Sequence, residues 1–159
     1  MKIKIICVGK IKEKFMVQAI DEYAKRLSRF CNFEICQLND AKIPDKASES
    51  ECRLVKELEG EAIVRHISKD SYVIALCVEG KSLSSEEFAD KIESITLSGK
   101  STIDFIIGGS LGLSDAVKNR SDYRLSFSSF TFPHQLMRLI LSEQIYRAFK
   151  INANEEYHK

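Results

Sequence analysis

The sequence predicts an α/β domain built on a doubly wound, mostly parallel sheet of about five strands. Three observations point there. Short apolar, β-branched runs alternate along the chain with longer stretches whose apolar residues recur at helical spacing. The run Phe105-Ile106-Ile107 has the continuous apolar character of a strand buried on both faces. The glycine-rich segment Gly108-Gly109-Ser110-Leu111-Gly112 follows it at once, at the carboxyl end of a strand, where such sheets hold their ligands.

The elements follow in order. Lys2 to Val8 alternates as a first strand, and Phe15, Met16, Ala19, Ile20, Tyr23, Leu27 and Phe30 then recur as the buried stripe of a helix. Phe33 to Leu38 is a second strand. After the polar stretch Asn39 to Ala47, Leu54, Val55, Leu58, Ala62 and Ile67 carry a second helix, which Gly60 is expected to weaken. Tyr72 to Val78 is a third strand, closed by a turn at Glu79-Gly80-Lys81. Ser84 with Glu87 three residues on forms a capping box for a helix ending near Gly99. Beyond the fourth strand, Ser114 caps a short helix through Lys118, and Tyr123 to Phe127 alternates as a fifth strand. The hydroxyl-rich loop Ser128-Ser129-Phe130-Thr131 leads to Pro133, placed as the first residue of the closing helix.

That helix is apolar on nearly every azimuth at about 100° per residue, through Leu136, Met137, Leu139, Ile140, Leu141, Ile145, Tyr146, Ala148 and Phe149. Burial on more than one side is the expectation, with one side on the sheet and another on a second copy, making a homodimer. Its polar groups fall into two sets, His134, Arg138 and Ser142 on one side and Glu143 with Arg147 on the other. Glu143 stands four residues before Arg147, the favourable order for a helical ion pair, and buried charges need partners.

The length of 159 residues fits one domain with its own core. A formal charge of +1 gives no global pull toward nucleic acid or membrane, so a polyanion must be met by a local or dimer-assembled patch. Lys10, Lys12 and Lys14 after the first strand are one such patch, and equally a solvated loop. The five cysteines, Cys7, Cys31, Cys36, Cys52 and Cys77, lack C-x-x-C spacing and nearby histidines, and read as reduced core residues with no metal site. Met1-Lys2-Ile3-Lys4 runs straight into a strand and no segment reaches membrane-spanning length, so the expected place is the cytoplasm, off the membrane. His66, inside the second helix, reads as a surface or packing residue.

The stretch IIGGSLGLS, then LSFSSFTFPHQLMRLILSEQIYRAFKI, then the terminal YHK resembles the RlmH family, the ribosomal RNA large subunit methyltransferase H group of the SPOUT methyltransferases. The likeness spans the chain, with VGK at the exit of the first strand and ALCVEGK at that of the third. It implies a carboxyl-terminal trefoil knot, a homodimer, S-adenosylmethionine as methyl donor, and methylation of N3 of a pseudouridine in 23S rRNA of the assembled ribosome. It places the donor on Leu76, Gly108, Phe127, Ser128, Ser129, Phe130, Thr131 and Phe132. Backbone groups at strand ends suit an adenine edge, the apolar side chains suit walls, and a side chain added at Gly108 is expected to fill ligand space.

The same resemblance makes His134, Arg138, Glu143, Arg147, Tyr157, His158 and Lys159 the catalytic and RNA-facing set. Arg138, Arg147 and Lys159 would hold phosphate, Tyr157 or His158 would stack on a splayed base, and either His134 or His158 would take the imide proton. Methyl transfer needs in-line positioning and no metal. Glu156 stands where the family usually has proline, and the acidic Asn154-Glu155-Glu156 tail departs from a surface made for RNA. Two other classes share parts of the pattern. A nicotinamide-dependent oxidoreductase would carry its glycine fingerprint after the first strand, where Val8-Gly9-Lys10-Ile11 is none. A non-catalytic ribosome-binding module would bind RNA with no need of the glycine turn and aromatic loop.

Overall fold

The structure, a computed structural model, describes residues 1–157; the expected roles of His158 and Lys159 lie outside the described residues. Among the described residues the order is β1 (Lys2–Val8), α1 (Lys14–Leu27), β2 (Asn32–Leu38), α2 (Glu49–His66), β3 (Tyr72–Ser82), α3 (Ser85–Leu97), β4 (Thr102–Ile107), α4 (Asp115–Arg120), β5 (Tyr123–Ser126) and α5 (His134–Asn152). The strands form one parallel sheet in the order β2-β1-β4-β3-β5. Every carboxyl end therefore opens on the same edge.

Period-two alternation divides the sheet into two cores. Ile3, Ile5 and Cys7 with Phe105 and Ile107 pack on Leu27, Phe88, Ile92, Leu141 and Ile145, which puts α1, α3 and α5 on one face. Ile6, Val8, Val73, Ala75 and Ile106 pack on Ile63, Leu113 and Val117, which puts α2 and α4 on the other. The capping boxes are present at both Ser48/Glu51 and Ser84/Glu87, and each satisfies two backbone donors that would otherwise face water unpaired.

Three local expectations change. Helix α2 runs unbroken through Gly60, because the missing side chain is needed there: a Cβ would stand 2.1 Å from Ser114 Oγ at the head of α4. The segment Glu79-Gly80-Lys81 belongs to β3 and does not end it. Residues 77–80 leave the ladder, and Lys81 returns to Leu125, the same partner that Leu76 has. Pro133 caps α5 from outside with φ −55° and ψ 129°, so the helix begins at His134. An extended ψ is incompatible with a first helical residue.

At the amino edge of the sheet, Asp104 is fully buried and accepts from Ser68 N at 2.6 Å and Ser71 Oγ at 2.8 Å. Lys4 Nζ stands 3.8 Å from it and donates to His66 O at 2.7 Å and Ser68 Oγ at 2.8 Å. His66 itself is exposed. Helix α5 lies between α1 and α3 with Arg138, Leu141, Ser142, Ile145 and Ala148 buried, while Leu136 and Ile140 on the opposite azimuth stay half-exposed. No helix among the described residues is long and apolar enough to cross a membrane.

Candidate functional site

A cleft of about 650 Å³ opens at the carboxyl edge of the sheet. Leu76, where β3 leaves the ladder, Ile107, the last residue of β4, and Leu125 in β5 form its floor. The turn from Gly108 to Leu113 makes one wall, the loop from Phe127 to Phe132 another, and His134 and Met137 close it from the first turns of α5. The 108–113 turn is held by Gly112 N–H to Gly109 O at 3.0 Å, with Gly112 at φ +82°, a conformation only glycine adopts freely. The opposite loop is shaped by its own hydroxyls: Ser126 Oγ donates to Ser128 O at 3.2 Å, and Phe130 N donates to Ser128 Oγ at 3.0 Å. Phe130 is left 77% exposed at the lip. Lys118 and Glu79 pair across the rim.

Leu76, Gly108, Phe127, Ser128, Phe130, Thr131 and Phe132 thus border one cleft, as the sequence places them. Ser129 is exposed and does not line it. The reason for glycine at 108 differs from the expected one. A Cβ there would meet the Gly112 carbonyl and Leu113 Cδ2, each at 2.9 Å, so it would distort the turn before it filled any ligand space.

His134 sits where β1 leaves the sheet, with its Nε2 3.4 Å from the point a Gly9 Cβ would occupy. Burial, and the Arg138 guanidinium behind it, hold its imidazole below the usual histidine value; Asp40 pulls the other way. The ring is therefore neutral at pH 7. Arg138 is not on the surface. It is 0% exposed, donating to Val8 O at 2.6 Å, Gly9 O at 2.9 Å and Gln37 Oε1 at 3.1 Å, so it cannot reach a phosphate from this position. Gln37 Oε1 also accepts from Ile11 N at 2.9 Å, and together these bonds pin the Gly9 turn under His134. Arg138 Nε is buried with no hydrogen-bond partner among the described residues.

A smaller cavity of about 320 Å³ adjoins the cleft and shares Gly109, Ser110 and His134 with it. Val8, Asp40 to Ile43 and Glu59 complete its wall. Glu59 is 7% exposed, accepts from Ala41 N at 3.1 Å, and is held above the usual carboxylate range by burial; the Ala41 N–H opposes that shift and Asp40 adds to it.

The remaining expected residues gather elsewhere. Arg147 Nε donates to Glu143 Oε1 at 3.0 Å, the ion pair the spacing predicts. Tyr157 OH donates to the same oxygen at 3.2 Å, its ring 5.0 Å from Tyr146 and 4.8 Å from the Arg147 guanidinium. Burial, followed by hydrogen bonding to Tyr23, raises the Tyr157 phenol above its ordinary value. The chain end through Tyr157 is therefore docked on α5. At 1.5 Å per residue, Arg147 lies about 20 Å along the helix from His134.

A family model described as "Predicted SPOUT methyltransferase" matches residues 1–158. The chain belongs to the SPOUT methyltransferase family. Its relatives within that family include the protein of Clostridium novyi (strain NT) named ribosomal RNA large subunit methyltransferase H, 60% identical over 159 residues and the full length of both. The protein of the same name from Clostridium botulinum (strain 657 / Type Ba4) is 58% identical, again over the full length of both. Among solved structures, "a probable methylase family protein from Haemophilus influenzae Rd KW20" aligns with a TM-score of 0.52 over 99% of this chain and 70% of that one. At 16% identity that likeness is one of fold.

For this SPOUT methyltransferase, sequence reasoning found the larger cleft and missed the smaller. Glu59 is one of many charges on α2, and nothing in its neighbours sets it apart. The available signal was position: Glu59 stands four residues before Ile63 and beside Gly60, both on the face that packs inward.

Proposed function

We propose that this chain transfers the methyl group of S-adenosylmethionine to N3 of a pseudouridine in 23S rRNA of the assembled ribosome, acting as a cytoplasmic homodimer with the knotted carboxyl-terminal segment of its family. The observation that carries the reading is the cleft between the Gly108 turn and the Phe127–Phe132 loop, with a neutral His134 on its rim. The residues fit the donor: Leu76, Leu125, Phe127 and Met137 offer apolar walls, and the strand ends and glycine turn expose backbone groups for a purine edge. A non-catalytic RNA module has no use for such a cleft.

When bound, the donor would supply a methyl carbon on a sulfonium, whose transfer to N3 would leave the carbon–sulfur electron pair on sulfur. His134 accepts the imide proton, since a neutral imidazole on the rim is a competent base at pH 7. Arg138 acts behind it, holding the Gly9 turn in place. Glu143, Arg147 and Tyr157 stand too far along α5 to serve the cleft of their own chain, which supports a dimer in which one copy's tail meets the other's cleft. Leu136 and Ile140, half-exposed on the outer stripe of α5, are suited to that contact. Arg147 and Lys159 then face phosphate, and Tyr157 and His158 the base.

Calorimetry should detect binding of S-adenosylmethionine and none of NADH. Radiolabelled donor incubated with ribosomes from cells lacking the enzyme should label 23S rRNA, and deletion of Tyr157 to Lys159 should leave donor binding intact while greatly reducing labelling. Donor binding without any labelling by the full chain would reject the enzyme reading; equal labelling by the truncated chain would reject the role of the tail.

A further inference from the structure

We infer that the smaller cavity is the pocket for the acceptor base, and that Glu59 in its wall reads a ring N–H of the pyrimidine held there. The inference rests on the methyl-transfer reading above and assigns the half of the site which that reading leaves open. The two cavities meet at Gly109, Ser110 and His134, so a ring in the smaller one lies across a common wall from a donor in the larger. Its volume of about 320 Å³ is at the small end for ligand pockets, suited to one base and too tight for a second cofactor.

Glu59 supplies the chemical selectivity. One carboxyl oxygen is used by Ala41 N–H. The other stands against Gly109, 2.8 Å from where a Cβ would sit, in the wall of the cavity. Lining a cavity, it is placed to be met by a ligand, and a carboxylate asks for an N–H. Pseudouridine is joined to its ribose through carbon and keeps two ring N–H groups, whereas uridine keeps one. Methylation at N3 uses one of them. The N–H that remains for Glu59 exists only in pseudouridine. In the wall itself, Lys42 is exposed and has no carboxylate partner among the described residues, as a phosphate flanking a seated base requires.

The test compares wild type with Glu59→Gln on two ribosome preparations, both from cells lacking the enzyme and one also lacking the synthase that makes the target pseudouridine. The amide keeps the Ala41 bond but turns a donor toward the ring. Wild type should prefer pseudouridine ribosomes in kcat/KM, and Glu59→Gln should shrink that preference about 10- to 100-fold, the range for one hydrogen bond to a charged group. Donor affinity should be unchanged. An unchanged preference overturns the pocket. Independently of turnover, pseudouridine 5′-monophosphate added to nitrogen-15-labelled wild type saturated with S-adenosylhomocysteine should shift the amides of Ala41, Lys42 and Gly109 more than uridine 5′-monophosphate does. Equal or absent shifts at those amides overturn it even if the variant misfolds. Failure of wild type to label either ribosome would instead sink the methyl-transfer reading.

Discussion

At the amino edge of the sheet Asp104 and Lys4 are sealed into a closed set of hydrogen bonds with Ser68, Ser71 and His66, whereas at the carboxyl edge Arg138 Nε has no partner among the described residues and one oxygen of Glu59 is open to a cavity. Both edges bury charge, and they do so for different ends. Closed hydrogen-bond sets fix shape, because every group has traded water for a protein partner. Open ones keep binding capacity that the fold itself does not use. Stability should therefore depend on the amino edge, and recognition on the carboxyl edge.

The sharpest way to break this contrast is Asp104→Ala, which strands Lys4 without its carboxylate. A loss of about 3–5 kcal/mol is expected in urea denaturation, with donor affinity of the folded fraction unchanged. Replacing both partners, Lys4→Met with Asp104→Leu, should recover most of it, since removing a buried pair together leaves no orphan charge. Equal instability of the single and double variants would mean that the pair is not a unit.

A smaller effect is expected from Arg138→Met, which keeps the packing length and loses the bonds to Val8, Gly9 and Gln37, about 1–3 kcal/mol. Its signature should be in the pH profile. Because His134 is depressed in the folded chain, labelling by wild type should fall only as pH drops below the usual histidine value of about 6.5. The sign for stability is the same: below that value the unfolded histidine binds more protons than the folded one, so stability also declines toward acid. Burial is the larger cause of the depression and the guanidinium the second, so Arg138→Met should move the fall in labelling part of the way toward 6.5. A profile that does not move would detach Arg138 from His134.

The mildest prediction concerns Cys77, half-buried in the cleft wall, where burial and then Glu79 raise the thiol above its ordinary value. Alkylation at mildly alkaline pH, followed by mass spectrometry, should be slow, and severalfold slower with S-adenosylhomocysteine bound. Protection at Cys52 in place of Cys77 would put the donor outside the cleft.

The strands and helices were legible because their signals are local: alternation in Lys2–Val8, the capping serines, the apolar run before Gly108. The wall of the larger cleft was legible for the same reason, as contiguous residues of one loop. What the sequence hid are contacts between distant segments. Arg138 looks like any helical arginine until Gln37 and the Val8 carbonyl are seen beneath it, and Glu59 until Gly109 closes over it. Gly60 suggested a weak helix because its use, the approach of Ser114, lies more than fifty residues away in the chain.

The detour of β3 has a consequence for how such a cleft can vary. Leu125 is the partner both where the strand departs, at Leu76, and where it rejoins, at Lys81. Residues 77–80 therefore carry no register of their own, and a relative could lengthen or shorten this stretch without sliding either strand by one position. Gly80, whose Cβ would meet the Leu125 backbone at 2.6 Å, is the stitch that closes the detour flat on its neighbour. Cleft depth is in this sense a free variable of the architecture, adjustable by insertion or deletion at one point, while the sheet that positions His134 stays as it is.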